Sequence, residues 1–197
     1  MLKIVTSFCQ DESGASMVEM SIIMVLLLST TFAVVDIGFA LWQFNSANKA
    51  SQIAVRAAIV SDPVAAGLEN FDCMTATAIP GTWCNDPNAQ SFGVIVCEGK
   101  TASCTDGYAF STATANEILA KIAKINGTIT LDNLVFEYED LRLGFAGRGA
   151  PIAAVTVRLV GLTFEFIFLD AFIGSAGPIS MPDFRSTLTT EDLSSTG

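Results

Sequence analysis

The sequence predicts an α+β fold in which a long N-terminal membrane-spanning helix continues into a domain with an antiparallel β-sheet. Residues 20–35 carry no charge, and no proline interrupts the helical pattern between residue 14 and Pro63. Further along, residues 114–127 have a helical pattern, and β-branched and aromatic runs follow up to residue 168. Helix, loops, helix and then several strands is an order typical of α+β domains.

Composition limits both the size and the chemistry of the protein. The chain has 197 residues, a net charge of −10 and only 10 lysines and arginines, which lie singly along it. A binding site for nucleic acid would need a basic patch, so this class of partner is not expected. Histidine is absent, which removes the commonest general base and the commonest metal ligand. We therefore expect no catalytic residue, no cofactor and no metal site.

Residues 15–60 predict one continuous helix, here called the stem. Together with Gly14 it would be roughly 65–70 Å long, about twice the hydrocarbon thickness of a bilayer. One half could lie in lipid while the other half projects from it. From Phe44 onward small residues recur on one side of the helix; they are Ala47, Ala50, Ala54, Ala57 and Ala58. An alanine-rich face at helical spacing is typical of core packing, and we expect it to pack against the sheet.

A small-residue junction, Gly14-Ala15, lies immediately before the apolar run. A secretory signal would be cleaved after its apolar run, and Cys9 lacks a convincing lipoprotein context. The position of the junction instead suits a peptidase that works at the cytoplasmic face and leaves the helix in the membrane. Residues 1–14 are therefore interpreted as a leader peptide.

The junction and the residues after it resemble a known processing site. Gly14-Ala15-Ser16-Met17-Val18-Glu19, followed by an apolar helix, resembles the processing site of type IV pilin-like proteins. The longer pattern comprises Glu19-Met20, Val35-Asp36-Ile37-Gly38-Phe39-Ala40-Leu41, Asn48-Lys49-Ala50-Ser51 and Arg56-Ala57-Ala58. It resembles the TadE-like minor pseudopilins of the tight-adherence pilus system, although Met20 stands where that family usually has an aromatic residue.

The resemblance implies a pilin-like domain, a location and a set of partners. A prepilin peptidase would remove residues 1–14 and leave a new amino terminus at Ala15. The stem would then hold the protein in the lipid of the bacterial inner membrane as a single pass, with its C-terminal domain in the periplasm. Other pilins or pseudopilins would bind through the stem, an inner-membrane assembly platform would be a further partner, and the chain could enter an extracellular pilus.

Two acids in the stem are candidate assembly residues. The resemblance implies that Glu19 neutralises the amino terminus of Ala15, in the same chain or in a neighbour; the alternative is a carboxylate that lies in the headgroup region. Asp36 lies about 25 Å further along the helix, near the far membrane boundary. We expect it to mark the exit to water. The alternative is contact with a partner helix, helped by small residues such as Gly38.

Residues 61–110 predict a loop-rich region that begins where Ser61-Asp62-Pro63 ends the stem. It contains Cys73, Cys84, Cys97 and Cys104, and four cysteines allow three pairings. In the oxidising periplasm that the resemblance implies, we expect two local disulfides, Cys73–Cys84 and Cys97–Cys104. A zinc site is the alternative, but the spacing lacks a C-x2-C pair.

Residues 111–185 predict a helix followed by the antiparallel sheet, and residues 186–197 predict a polar tail. Thr114 and Glu117 have capping-box spacing, and Asn126-Gly127 is typical of a helix end. We expect strands at residues 128–131, 134–139, 153–160 and 162–168. Phe164, Phe166 and Phe168 alternate along the last strand, which predicts core positions.

Three functions from different classes follow. The first is a minor pseudopilin, a structural subunit that assembles through its stem to prime, cap or support pilus biogenesis and surface adhesion. The second is a signal-anchored periplasmic domain that binds a partner and does not enter a pilus. The third is a membrane-tethered enzyme whose carboxylates would be Glu137 and Glu139, which lie on one side of a strand; a solvated strand face is the simpler explanation of this pair.

Overall fold

The structure is a computed structural model that describes residues 12–150, 152–168, 170 and 177–190. The helices are α1 (Glu12–Ala58) and α2 (Thr112–Ile122). The strands are β1 (Ala65–Ala66), β2 (Val94–Glu98), β3 (Ser103–Cys104), β4 (Ala109–Phe110), β5 (Leu134–Leu143), β6 (Ile152–Leu159), β7 (Thr163–Phe164), β8 (Ile179–Ser180) and β9 (Phe184–Thr189). Most of the predicted leader, residues 1–11, lies outside the described residues.

The chain forms two compact units. The first, here called the stem unit, contains the chain up to Trp42 and Phe164–Ile179. The second, here called the sheet unit, contains Gln43–Thr163 and the chain from Ser180 onward. Helix α1 contributes its N-terminal part to the stem unit and its C-terminal part to the sheet unit.

In the stem unit, α1 exposes a continuous apolar surface. Every large apolar side chain between residues 17 and 27 is exposed. The hydroxyl groups in this part of the helix lie 2.8–2.9 Å from backbone carbonyls three residues earlier and donate to them; they belong to Ser21, Ser29, Thr30 and Thr31. In the described part of the chain, α1 is the one helix long and apolar enough to cross a membrane. It therefore fits a single-pass membrane anchor.

The sheet unit is built on a five-stranded antiparallel sheet in the order β3-β2-β5-β6-β9. Residues alternate between the faces of β5, so that Leu134, Phe136 and Tyr138 are fully buried while Glu137 and Glu139 lie on the other face. The core also contains residues of α2 and the alanine-rich face of α1, whose five alanines are all buried. The predicted α+β class, with a long helix, an antiparallel sheet and a disulfide-stapled region, is confirmed.

The bounds of α2 differ from the prediction. Ser111, not Thr114, is the N-cap: its backbone is extended, and its hydroxyl accepts the N–H of Thr114 at 3.4 Å. The helix ends at Ile122, before Asn126-Gly127. The Asn126 carboxamide oxygen accepts the N–H of Thr128 at 3.1 Å, so this side chain stabilises the loop after the helix instead of the helix end.

Several strand predictions were wrong. Residues 128–131 form no strand, and a 3-10 turn occupies Leu131–Asn133 because the Asn133 side chain accepts the N–H of Thr130. Within 162–168 only Thr163–Phe164 is a strand. Strand β2 lies inside the region predicted as loops, where the apolar run of residues 94–97 was the available signal.

Strand β9 includes residues 186–189, which were expected in the tail. It lies beside β6, and the hydroxyl oxygens of Thr156 and Thr187 are 2.8 Å apart across the pair. Phe184 anchors the start of β9 in the core. Residues 191–197 of the predicted tail lie outside the described residues.

Candidate functional site

The predicted cleavage junction lies in the first turns of α1. Gly14 and Ala15 are both helical and exposed. A Cβ atom added to Gly14 would meet no neighbouring atom within 4 Å. A larger residue at this position would therefore not disturb packing, and its effect on cleavage would report on recognition by a peptidase.

Glu19 is an exposed acid within the apolar part of α1. It lies one helical turn after Ala15, so the two residues share one side of the helix. Among the described residues, none forms a hydrogen bond or an ion pair with its carboxylate. The neighbouring side chains Met17 and Met20 are exposed as well. The Glu19 carboxylate is thus accessible to a cation from outside the described part of the chain.

Asp36 is buried, with only 1% of its surface exposed. Its Oδ2 accepts the backbone N–H of Phe168 at 3.0 Å, and its Oδ1 lies 3.4 Å from the donating N–H of Ile167. The position of Asp36 at the exit to water stays a prediction, and the structure adds that its side chain is buried within the protein. The physical reason is that a distant segment of the chain supplies hydrogen-bond donors to the carboxylate, which allows it to be buried.

Aromatic contacts lie on both sides of Asp36. Phe32 stacks on Phe168, with ring centroids 4.7 Å apart, and Phe39 contacts Phe164 at 6.1 Å. The spacing of Phe32, Asp36 and Phe39 places them on one face of the helix. This spacing was the available sequence signal that α1 contacts another segment here. Phe164 is buried as predicted, whereas Phe166 and Phe168 are half-buried. The ring partner of Phe168 is Phe32 on α1, and that of Phe166 is Phe164, with ring centroids 5.2 Å apart.

The four cysteines of the loop region form the disulfides Cys73–Cys84 and Cys97–Cys104. The second bond joins directly paired residues of β2 and β3, and Cys97 belongs to the main core. The first lies in a separate small cluster with Ala146. Because bonded sulfurs cannot act as thiolate ligands, these cysteines do not form the alternative zinc site. Among the described residues, no group of three or more potential ligands could hold a metal.

The acidic cluster on β5 contains an ion pair. Oε1 of Glu137 lies 2.8 Å from a guanidinium nitrogen of Arg158, and Oε2 lies 3.8 Å from one of Arg185. Glu139 is exposed. Glu137 is therefore paired with cations on β6 and β9, and the arrangement differs from two carboxylates that face each other across a substrate.

A surface groove of about 520 Å³ lies beside β5 and β6, with Leu143, Phe145, Arg148 and Ile152 in its walls. Trp83 contacts Phe145 at a centroid distance of 4.4 Å and is 61% exposed. Tryptophan and arginine are enriched among the residues that dominate protein interfaces. The groove is a second candidate site, and sequence analysis did not identify it.

Comparison with known proteins gives a family match in the N-terminal helix. Residues 14–56 match the family model described as TadE-like protein. The resemblance predicted from sequence is thereby confirmed over the stem, and the match begins at the predicted cleavage junction. Comparisons with curated proteins and with solved structures give no match.

Proposed function

We propose that this chain, whose stem matches the TadE-like family, is a minor pseudopilin of a tight-adherence pilus. It assembles through α1 to prime, cap or support pilus biogenesis and surface adhesion. The observation that carries the proposal is the family match over residues 14–56, which starts at the cleavage junction. The accessible carboxylate of Glu19 supports it, since assembly through a stem needs a group that another chain can reach.

Cleavage after Gly14 would create an ammonium group at Ala15. Four residues of helix rise about 6 Å, so this cation and the Glu19 carboxylate lie within reach of each other or of their counterparts on a neighbouring stem. A charge in lipid costs at least ~2.5 kcal/mol, which makes mutual neutralisation favourable. The pair would therefore both hold the processed terminus and attract the next subunit.

The proposed location is the bacterial inner membrane, with the sheet unit in the periplasm. The two disulfides support this orientation, because such bonds persist in oxidising compartments. The proposed partners are a prepilin peptidase, an inner-membrane assembly platform and other pilins or pseudopilins.

The first test is the mature N-terminus, measured by mass spectrometry on protein from membranes with and without the candidate prepilin peptidase. We expect a start at Ala15 that disappears without the peptidase. Gly14→Leu should block cleavage, whereas Gly38→Leu, at another helical glycine with no atom near its Cβ position, should leave it intact. An intact Met1, or a start beyond Ala33, would contradict the proposal.

A second candidate function is a membrane-anchored binding domain that acts without entering a pilus. The exposed Trp83 and the groove beside it favour this alternative. This alternative requires that Trp83→Ala abolish binding to the partner, while Gly14→Leu and Glu19→Gln leave that binding unchanged. The pseudopilin proposal requires the opposite pattern for the two stem variants, so one set of strains separates the two functions.

A further inference from the structure

We infer that residues 164–168, here called the aromatic strap, lie in the outer interface of the membrane and contact lipid through Ile167. The inference rests on the membrane-spanning role of α1 in the proposed function. It adds a second membrane contact, made by a segment that lies between β6 and β9 in the sequence.

The depth of the strap follows from its contacts with α1. A hydrocarbon core of about 30 Å takes about 20 helical residues, and the charge-free section of α1 ends just before Asp36. Asp36 and its neighbours on the same face, Phe32 and Phe39, therefore lie at the far boundary of the hydrocarbon. The strap contacts all three of these residues. Phe168 stacks on Phe32, and Phe164 contacts Phe39. The backbone N–H groups of Ile167 and Phe168 donate to the carboxylate of Asp36. The strap must therefore lie at the same depth.

The hydrogen bonds of Asp36 fit this position. Carboxylates at membrane depth are rare and need polar partners. Irregular backbone at that depth likewise needs internal acceptors for its N–H groups, because lipid tails offer none. The carboxylate of Asp36 and the N–H groups of Ile167 and Phe168 satisfy one another at 3.4 and 3.0 Å. In water, the carboxylate and the two N–H groups could each form hydrogen bonds to solvent instead.

Apart from the exposed Glu165, whose charge belongs on the water side of the interface, the exposed side chains of this region are apolar and favour lipid as the occupant. Ile167 is 57% exposed and Trp42 is 58% exposed, although both are large and apolar. On α1, Val35 and Phe39 are exposed too, and they continue the apolar surface of the membrane-spanning part without interruption by charge other than the buried Asp36. Tryptophan and other aromatic residues concentrate at membrane interfaces. Lipid would cover both these exposed side chains and the apolar surface of α1, so no second partner is needed.

The test uses the full chain in vesicles of phosphatidylcholine and phosphatidylglycerol, with tryptophan as the probe. Trp42→Phe and Trp83→Phe remove the 2 native tryptophans, and Ile167→Trp then places one reporter on the strap. Phospholipids that carry bromine near the headgroup or near the acyl-chain end quench a tryptophan at their own depth. Iodide in the buffer quenches a tryptophan that faces water. The matched control is Ile23→Trp, at an exposed isoleucine inside the charge-free section of α1.

We expect bromine near the headgroup to quench Ile167→Trp at least about twofold more strongly than bromine near the acyl-chain end, as for an interfacial residue. Iodide should have little effect, and Ile23→Trp should show the reverse preference between the bromine positions. Strong quenching by iodide without quenching by bromine would overturn the inference alone, provided that Ile23→Trp is still quenched by deep bromine. If Ile23→Trp escapes deep bromine as well, α1 does not enter the bilayer, and the proposed membrane anchor fails with the strap.

A second copy of the chain is the competing occupant. The same measurement at rising ratios of protein to lipid distinguishes it, because a neighbouring protein would displace lipid from Ile167. Bromine quenching of Ile167→Trp that stays constant supports the lipid contact. Quenching that falls as the vesicles fill with protein would overturn it.

Discussion

Asp36 shows how a single residue can depend on a remote part of the chain. It lies in a helix whose neighbouring side chains are apolar, and its described donors are backbone N–H groups 131 and 132 residues later in the sequence. Helix geometry predicts that Asp36 lies at the membrane boundary. Its burial could not be predicted from the sequence, because the donors belong to a segment whose path is set by tertiary structure.

Asp36→Ala should expose the amides of Ile167 and Phe168 to exchange. A donor shielded from water and left without an acceptor costs about 1–3 kcal/mol, so we expect hydrogen exchange at these amides to accelerate about 5- to 160-fold. Mass spectrometry of the peptide that spans the strap measures it in the membrane-bound protein. Asp132→Ala, at an exposed acid of the sheet unit, is the control and should leave this exchange unchanged. Unaltered exchange in Asp36→Ala would contradict the assigned bonds.

Tyr138 is the second residue with a remote partner. It is fully buried on β5, and its hydroxyl accepts the N–H of Val64 at 2.9 Å. This bond ties the loop after α1 to the centre of the sheet. Tyr138→Phe should lower the free energy of unfolding by about 1–3 kcal/mol, because Val64 loses its acceptor. Thermal unfolding in detergent measures the loss; Tyr108→Phe, at a half-buried tyrosine, is the comparison and should have little effect.

Burial raises the pKa of Tyr138 above its usual value of 10.0. A raised pKa in the folded state means that the unfolded chain loses this proton first as pH rises. The contribution of Tyr138 to stability should therefore be constant below pH 10.0 and decline above it. As pH rises above 10.0, the free energy of unfolding should fall less steeply in Tyr138→Phe than in the unchanged protein. Parallel curves for the two proteins would show that Tyr138 is not the group responsible.

At the scale of elements, the predictability of each strand follows its pattern. Strands β5 and β6 were predicted because their runs of β-branched and aromatic residues are long. Strand β2 is short and lies among glycines and cysteines, while β9 has few apolar residues and gains its place by pairing with β6. The missed strands are therefore those whose stability depends on neighbours instead of on their own composition.

The two disulfides should differ in effect because they lie in different parts of the sheet unit. Cys97→Ala with Cys104→Ala removes a bond between paired strands and reaches the main core, so we expect a loss of about 2–4 kcal/mol in global unfolding. Cys73→Ala with Cys84→Ala should mainly open the loop around its small cluster. Limited proteolysis and thermal unfolding of the two double variants separate these effects. Equal thermal losses, with no new cleavage between residues 73 and 84, would contradict the distinction.

At the scale of the whole molecule, the order of elements was enough to predict the α+β class. The family resemblance over residues 14–56 could be predicted because it lies in one continuous segment of the sequence. The groove beside Trp83 could not be predicted, because its walls come from segments far apart in the sequence, such as Gly81 and Ile152.

Glu19→Gln should reduce pilus assembly at least about tenfold, because it removes the charge that the processed terminus would pair with while keeping the size of the side chain. The amount of sheared pili on the cell surface measures assembly. Glu139→Gln is the matched control, since it makes the same change at an exposed acid of the sheet unit. Normal pili in Glu19→Gln would contradict the proposed role, and loss of function in Glu139→Gln alone would favour an enzyme.

The hydroxyl groups of the stem have a consequence for contacts between stems. Ser21, Ser29, Thr30 and Thr31 all donate to carbonyls of their own helix. Because these hydroxyl protons are already donated within the helix, they do not form hydrogen bonds to a neighbouring helix. The surrounding apolar side chains have no hydrogen-bonding groups. Two such stems could slip past one another by a turn, about 5.4 Å, with little resistance. Axial registry between two stems would then depend on the charge of Glu19, which is exposed on this surface.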